Sequence, residues 1–154
     1  MIHGFGPRPS PAGLVGGLPS VTPLVVVPPP KKLRILLVDD EPVIRELVQA
    51  ILEGDGILVR CVSDGAVAVA EARRFEPHLV LLDVVLPTLD GFTVCRLLRA
   101  DTRLAGVPIH MLTAKASRAD HEAARRAGAS GYIEKPFKAQ ALKELVSGLQ
   151  PGRA

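Results

Sequence analysis

The chain has 154 residues, enough for one domain with a sizeable core, and 47% of them are hydrophobic while only 3% are aromatic. No apolar run approaches the roughly 20 residues that cross a bilayer, and the N-terminus lacks the basic start of a signal peptide. Arg8, Lys31 and Lys32 account for the net charge of +3, so the remainder is formally neutral and shows no electrostatic footprint for nucleic acid.

The first segment, residues 1–32, is dense in proline and glycine. Proline fixes φ and lacks a backbone donor, so we expect a disordered or extended tail here. From Leu33 onward, apolar runs alternate with amphipathic segments, which predicts one domain over residues 33–150 and a short tail over residues 151–154.

Five strands and five helices are predicted to alternate along this domain. The predicted strands are the apolar runs LRILLVDD, ILVRCV, HLVLLD, VPIHMLT and GYIE. The predicted helices are EPVIRELVQAILEG, Gly65–Phe75, Asp90–Ala100, Ser117–Ala127 and Lys138–Leu149. The apolar face of the first helix is predicted to comprise Ile44, Leu47, Val48, Ile51 and Leu52. This alternation predicts an α/β fold in which helices cover both faces of a doubly wound parallel sheet, a three-layer sandwich.

Polar side chains collect where the predicted strands end. Asp39 and Asp40 end the first strand and Asp83 ends the third, while Thr113 ends the fourth and Lys135 follows the fifth. Ligands of open parallel sheets bind at the carboxyl ends of the strands, so we expect these groups to share one edge. Crowded carboxylates suit a hard divalent cation such as Mg²⁺. A carboxylate beside such an ion can also attack phosphorus and form an aspartyl phosphate.

Each of these residues has an ordinary explanation when it is taken alone. Asp39 or Asp40 would also serve as a helix cap, Thr113 as an end-of-strand threonine, and Lys135 as a solvated lysine. Their joint placement on separate strands of one edge favours the functional interpretation.

Other kinds of site find little support in the sequence. Neither GxGxxG after the first strand nor GxxxxGK[ST] occurs, and the four histidines form no metal-binding pair. The two cysteines, Cys61 and Cys95, lack metal-ligand spacing and are expected to be small core residues. Their number and spacing favour a reduced, cytoplasmic setting.

Four motifs, LLVDDEP, LLDVVLPTLDG, MLTAKA and AGASGYIEKPF, occur in an order and spacing that resemble the receiver domain of two-component response regulators. The resemblance covers Leu33 to about Leu149, and AGASGYIEKPF is especially similar to the single-domain chemotaxis response regulator. It implies a flavodoxin-like fold with strand order 2-1-3-4-5 and a cytoplasmic, phosphorylation-dependent signalling switch.

The resemblance implies roles for the acidic residues. Asp83 would be the phosphoacceptor, which would receive its phosphoryl group from a phosphohistidine on a sensor histidine kinase or histidine phosphotransfer protein. Asp40, Asp83 and the backbone carbonyl of Val85 would ligate Mg²⁺. Asp39 would act on the same ion, largely through water.

It implies roles for residues of the last two strands as well. Lys135 would pair with the phosphoryl group, and the Lys135–Pro136 peptide bond would be cis, an isomer that proline makes accessible. Thr113 would turn its hydroxyl toward a phosphoryl oxygen, and Tyr132 would follow it inward as the second switch residue.

Val85 and Lys115 occupy the two variable positions that modulate dephosphorylation in this family. The valine side chain forms no hydrogen bond to an attacking water, so we expect slow loss of phosphate.

Two alternatives to the phosphorylated switch remain open. One is a receiver-like interaction module that works without phosphorylation, although no acidic, threonine or lysine position is lost here. The other is a phosphohydrolase with an aspartyl nucleophile, which typically carries DxD after the first strand, where this chain has VDDEP. No output domain follows the last predicted helix, so we expect a non-enzymatic protein that signals through a downstream protein target or phosphorelay.

Overall fold

The computed structural model describes residues 31–54, 56–114 and 117–149. Its strands are β1 (Leu33–Val38), β2 (Ile57–Val62), β3 (Leu79–Asp83), β4 (Ile109–Thr113) and β5 (Gly131–Glu134). Its helices are α1 (Pro42–Leu52), α2 (Gly65–Phe75), α3 (Gly91–Ala100), α4 (Arg118–Ala127) and α5 (Ala139–Ser147). Apart from Lys31 and Lys32, the predicted tails lie outside the described residues, and the division into tails and domain stays a prediction.

The strands form one parallel sheet in the order β2-β1-β3-β4-β5. This confirms the predicted doubly wound sheet and its strand order. The order reverses between β1 and β3, so the carboxyl ends of these two strands flank the switch point at which such sheets bind ligands.

Apolar side chains fill the space on both faces of the sheet. On one face, α1 and α5 pack over a cluster that includes Leu37, Leu81 and Leu112. On the other face, α2, α3 and α4 pack over a cluster that includes Val38, Leu82 and Met111. Because the central strands are buried on both faces, their sequences are unbroken runs of apolar residues.

The predicted apolar face of α1 is only partly buried. Leu47 on this face is 40% exposed, whereas Val48 and Leu52 are buried. Ile44 and Ile51 are half-buried against the same cluster. The stripe of α1 that meets the sheet and α5 is therefore narrower than the sequence pattern predicts.

Capping residues set the starts of several helices. Asp64, Asp90 and Ser117 each accept a hydrogen bond from a backbone N–H in the first turn of α2, α3 and α4. The predicted helices that begin at Asp90 and Ser117 are one residue shorter in the structure, because a cap residue keeps an extended backbone. No helix in the described part of the chain is long and apolar enough to span a membrane.

Candidate functional site

The strand register brings the predicted site residues to one edge of the sheet. Val38 at the end of β1 pairs with Leu82, so Asp39 is level with Asp83. Asp83 in turn pairs with Leu112, so Thr113 follows directly on the neighbouring strand. The backbone N–H of Lys135 donates to the carbonyl of Thr113 at 2.8 Å.

An ion network centred on Lys135 joins three of these strand ends. The Lys135 Nζ lies 2.9 Å from Asp39 Oδ2 and 3.4 Å from Asp83 Oδ2. It also lies 2.9 Å from Glu41 Oε1. The lysine side chain is only 11% exposed, and that of Asp39 is wholly buried. Burial of an unpaired carboxylate costs a large amount of free energy, and the ion pair with Lys135 offsets this cost for Asp39.

The carboxyl of Asp83 has a pKa of about 6, well above its ordinary value. Burial is the main cause, and the negative charge of Asp39 raises the pKa further. The ammonium of Lys135 and the backbone N–H of Val85 pull the pKa back down, because both stabilise the carboxylate. Asp83 is therefore a shielded carboxylate that depends on nearby positive charge.

The ammonium of Lys135 has a pKa above its ordinary value. Burial by itself would lower that pKa, but the hydrogen bonds to Asp39 and Glu41 and the charge of Asp83 outweigh it. The lysine is therefore a permanent positive charge at the centre of the network.

A cavity of about 480 Å³ opens over this network. Five of the predicted site residues line it, namely Asp40, Asp83, Val85, Thr113 and Lys135. Lys115 lies outside the described residues, and its predicted role stays a prediction.

The two aspartates that end the first predicted strand differ in their surroundings. Asp39 is buried, whereas Asp40 is exposed and lines the cavity. Asp39, Glu41 and Asp83 have carboxylate oxygens within 4.8 Å of one another, a group that Asp40 does not join.

The loop after β3 is tied to its surroundings by hydrogen bonds. The N–H of Val85 donates to Asp83 Oδ1 at 3.3 Å. Thr88 has a left-handed backbone with φ of 65°, a rare conformation for a β-branched residue. Its single hydroxyl proton is shared between the Asp64 carboxylate and the Pro87 carbonyl, which both lie within hydrogen-bond distance.

The donor set at this edge fits a hard divalent cation. The carboxylates of Asp39, Asp40 and Asp83 and the backbone of Val85 all lie at or beside the cavity, and they offer oxygen ligands only. Oxygen is the ligand type that Mg²⁺ takes in proteins. No histidine or cysteine belongs to the carboxylate group among the described residues.

Tyr132 lies outside the cavity in this structure. It is 42% exposed, and its ring stacks on that of His121 from α4, with centroids 3.7 Å apart. Thr113 is buried at the end of β4. The Lys135–Pro136 peptide bond is cis, the isomer implied by the resemblance.

Sequence reasoning missed two contacts at this edge. Glu41 follows the acidic pair in the sequence, which was a signal, but only the fold brings it to Lys135. The second contact is that of His121, which is half-buried and stacks on Tyr132. No sequence pattern links a residue in a helix to one in the following strand in this way.

Comparisons with known proteins point to one family. The family model for the response regulator receiver domain matches residues 35–147. The DNA-binding response regulator MtrA of Mycolicibacterium smegmatis is 46% identical over 114 residues, which is 74% of this chain and 47% of that protein. The chain thus spans about half the length of the curated relatives it matches.

Two solved structures extend the comparison to the fold. The Vibrio cholerae chemotaxis protein CheY4 has a TM-score of 0.72 and 29% identity, covering 77% of this chain and 98% of that one. The receiver domain of the Pseudomonas aeruginosa sensor histidine kinase PA1611, solved with a magnesium ion in its active-site cleft, has a TM-score of 0.71 and 38% identity, with 77% and 97% coverage. The chain belongs to the response regulator receiver domain family of two-component systems.

Proposed function

We propose that the protein is a phosphorylation-dependent signalling switch that accepts one phosphoryl group on Asp83. The observation that carries the proposal is the setting of this carboxylate. It is 5% exposed, lines the cavity, and lies 3.4 Å from the ammonium of Lys135. A nucleophilic carboxylate beside a fixed positive charge is the arrangement that transfer of an anionic phosphoryl group requires.

The chemistry would proceed by direct displacement at phosphorus. A carboxylate oxygen of Asp83 attacks the phosphorus of a phosphohistidine on a histidine kinase or phosphotransfer protein. The O–P bond forms as the N–P bond breaks, and the imidazole nitrogen keeps the electron pair and takes up a proton. Lys135 would hold a phosphoryl oxygen and neutralise its charge, and the Thr113 hydroxyl would bind another oxygen.

Mg²⁺ is the cofactor we propose for this step. Asp40, Asp83 and the carbonyl of Val85 would hold it, with Asp39 acting on it largely through water. When bound, the ion would neutralise charge on the phosphoryl oxygens. The PA1611 receiver domain, with its magnesium ion, supports this assignment by similarity.

Signalling would follow from the new charge at this edge. Thr113 and Tyr132 would move toward the phosphoryl group, which alters the face formed by α4, β5 and α5. A downstream protein would bind to the altered face. We propose a signalling receiver in the cytoplasm, where the free thiols Cys61 and Cys95 would stay reduced, rather than an enzyme with an external substrate. Its only reactions would be its own phosphorylation and slow dephosphorylation.

Intact mass tests the proposal. Incubation with acetyl phosphate and Mg²⁺ is expected to add one phosphoryl group to the wild-type protein and none to Asp83→Asn. Omission of Mg²⁺ should abolish the gain. Asp101→Asn is the matched control, because it removes the same charge at the C-terminal cap of α3, outside the residues that line the cavity.

The other outcomes point to the alternatives. A folded wild-type protein that gains no mass would favour an interaction module that works without phosphorylation. Continuous release of inorganic phosphate from a phosphate monoester would favour a phosphohydrolase. A gain that persists in Asp83→Asn would exclude Asp83 as the acceptor.

The side chain of Val85 leads to a prediction about phosphoryl lifetime. It is 76% exposed beside the cavity and offers no hydrogen bond to an attacking water. Val85→Asn is expected to speed dephosphorylation about fivefold, the effect of one hydrogen bond of roughly 1 kcal/mol. Decay of the phosphorylated mass after donor removal measures the rate. Val67→Asn changes an exposed valine of α2 and should leave the rate unchanged, whereas equal rates for Val85→Asn and wild type would contradict the prediction.

A further inference from the structure

Glu41 contributes to the ion network, but the proposed chemistry assigns it no role. It stands at the N-cap position of α1, where a side-chain oxygen commonly accepts a helix N–H, yet it makes no such bond. Its Oε1 instead lies 2.9 Å from the Nζ of Lys135. Its backbone N–H donates to Asp39 Oδ1 at 2.9 Å, which fixes the residue beside the cavity that it also lines.

The ammonium of Lys135 is already shared among carboxylates. It has three N–H donors and three acidic partners in the described part of the chain, with Asp39 and Glu41 at 2.9 Å and Asp83 at 3.4 Å. Phosphorylation converts the Asp83 carboxylate into an acyl phosphate, so the phosphoryl oxygens then compete with Asp39 and Glu41 for the N–H donors of Lys135.

Exposure indicates which carboxylate gives way. The side chain of Asp39 is 0% exposed and that of Asp83 is 8% exposed, whereas that of Glu41 is 58% exposed. A buried carboxylate that loses its partner is strongly penalised, but an exposed one is rehydrated by water at little cost. Glu41 can therefore turn into solvent, whereas Asp39 cannot.

We propose that Glu41 is a displaceable counter-ion of Lys135, which occupies the ammonium before phosphorylation and yields it to the phosphoryl group on Asp83. This inference rests on the proposed function. Glu41 is a positioning residue in this scheme, because it acts through Lys135 and does not contact the reacting atoms. While the Glu41 carboxylate is bound to Lys135, its negative charge opposes an incoming phosphoryl donor. When it is displaced, the carboxylate turns away from the cavity into solvent.

The substitution Glu41→Gln tests the inference, because the amide keeps the length of the side chain and removes its charge. Phosphorylation by acetyl phosphate with Mg²⁺ is expected to become about two- to fivefold faster, the range expected for a partly exposed ion pair. Affinity for beryllofluoride, an analogue of the phosphoryl group, should rise by a similar factor. Tyr132 fluorescence reports this binding without interference, since the chain has one tyrosine and no tryptophan.

Glu46→Gln is the matched control. Glu46 is an exposed glutamate further along α1, so its substitution changes the net charge equally without touching the Lys135 network. The inference requires faster phosphorylation and tighter beryllofluoride binding in Glu41→Gln and wild-type values in Glu46→Gln.

Four results would overturn the inference. Equal rates and affinities in the two variants would assign any change to net charge alone. Weaker Mg²⁺ binding and slower phosphorylation in Glu41→Gln would make Glu41 a metal ligand. A wild-type protein that gains no phosphoryl group would overturn the proposed function and this inference with it, whereas a wild type that is phosphorylated with unchanged Glu41→Gln kinetics overturns the inference alone.

Discussion

Replacement of Lys135 by methionine is expected to abolish measurable phosphorylation and to destabilise the fold. Methionine keeps most of the volume but leaves Asp39 and Asp83 buried together without their positive partner. Removal of one member of a buried ion pair typically costs about 3 to 5 kcal/mol of unfolding free energy. Loss of a positioned charge that stabilises a transition state typically slows a reaction about 100-fold or more.

Two measurements separate these effects. Urea unfolding gives the stability change, and intact mass after incubation with acetyl phosphate and Mg²⁺ gives the phosphorylation. Lys143→Met removes an exposed lysine of α5 and should change neither value. Adding Asp39→Asn to Lys135→Met should recover part of the stability, since fewer charges stay unpaired, but not the phosphorylation. If Lys135→Met has the same unfolding free energy as the wild type, the prediction that the Lys135 ion network stabilises the fold is wrong.

Gly91→Ala is expected to lower the unfolding free energy by about 3 kcal/mol or more, at the upper end of typical overpacking effects. Gly91 is the first residue of α3 and packs directly on the backbone that follows β3. A Cβ at this position would contact the carbonyl oxygen of Asp83 and lie 2.8 Å from the Cα of Val84. Both are backbone atoms, which cannot rotate away as a side chain would.

Because the displaced backbone belongs to the proposed phosphoacceptor, Gly91→Ala should also reduce phosphorylation in the fraction that stays folded. Gly106→Ala is the matched control, because no atom lies within 4 Å of the Cβ position there. It should be neutral or slightly stabilising, since alanine restricts the unfolded chain. The midpoint and slope of urea unfolding measure both variants. A Gly91→Ala protein as stable as Gly106→Ala would contradict the predicted clash.

The sequence determined the architecture of the described domain. Continuous apolar runs such as LVLLD and helical segments with one apolar face alternate five times, and only a parallel sheet covered on both faces buries all of them. The same regularity predicted that Asp39, Asp83, Thr113 and Lys135 share one edge. Some helix boundaries differ from the predicted ones because of local hydrogen bonding. The Asp90 side chain caps α3, so this residue precedes the helix instead of beginning it.

The tertiary structure decided which of these polar groups touch. The apolar pattern of the strand does not distinguish the surroundings of Asp39 and Asp40, yet Asp39 is buried against Lys135 and Asp40 is exposed at the cavity. The contact between Glu41 and Lys135 spans 94 positions in the chain, and no local pattern encodes it. Likewise, the stacking of His121 on Tyr132 depends on how α4 lies across β5. Periodicity fixes which face of an element is apolar, whereas contacts between side chains depend on packing between elements that are distant in the sequence.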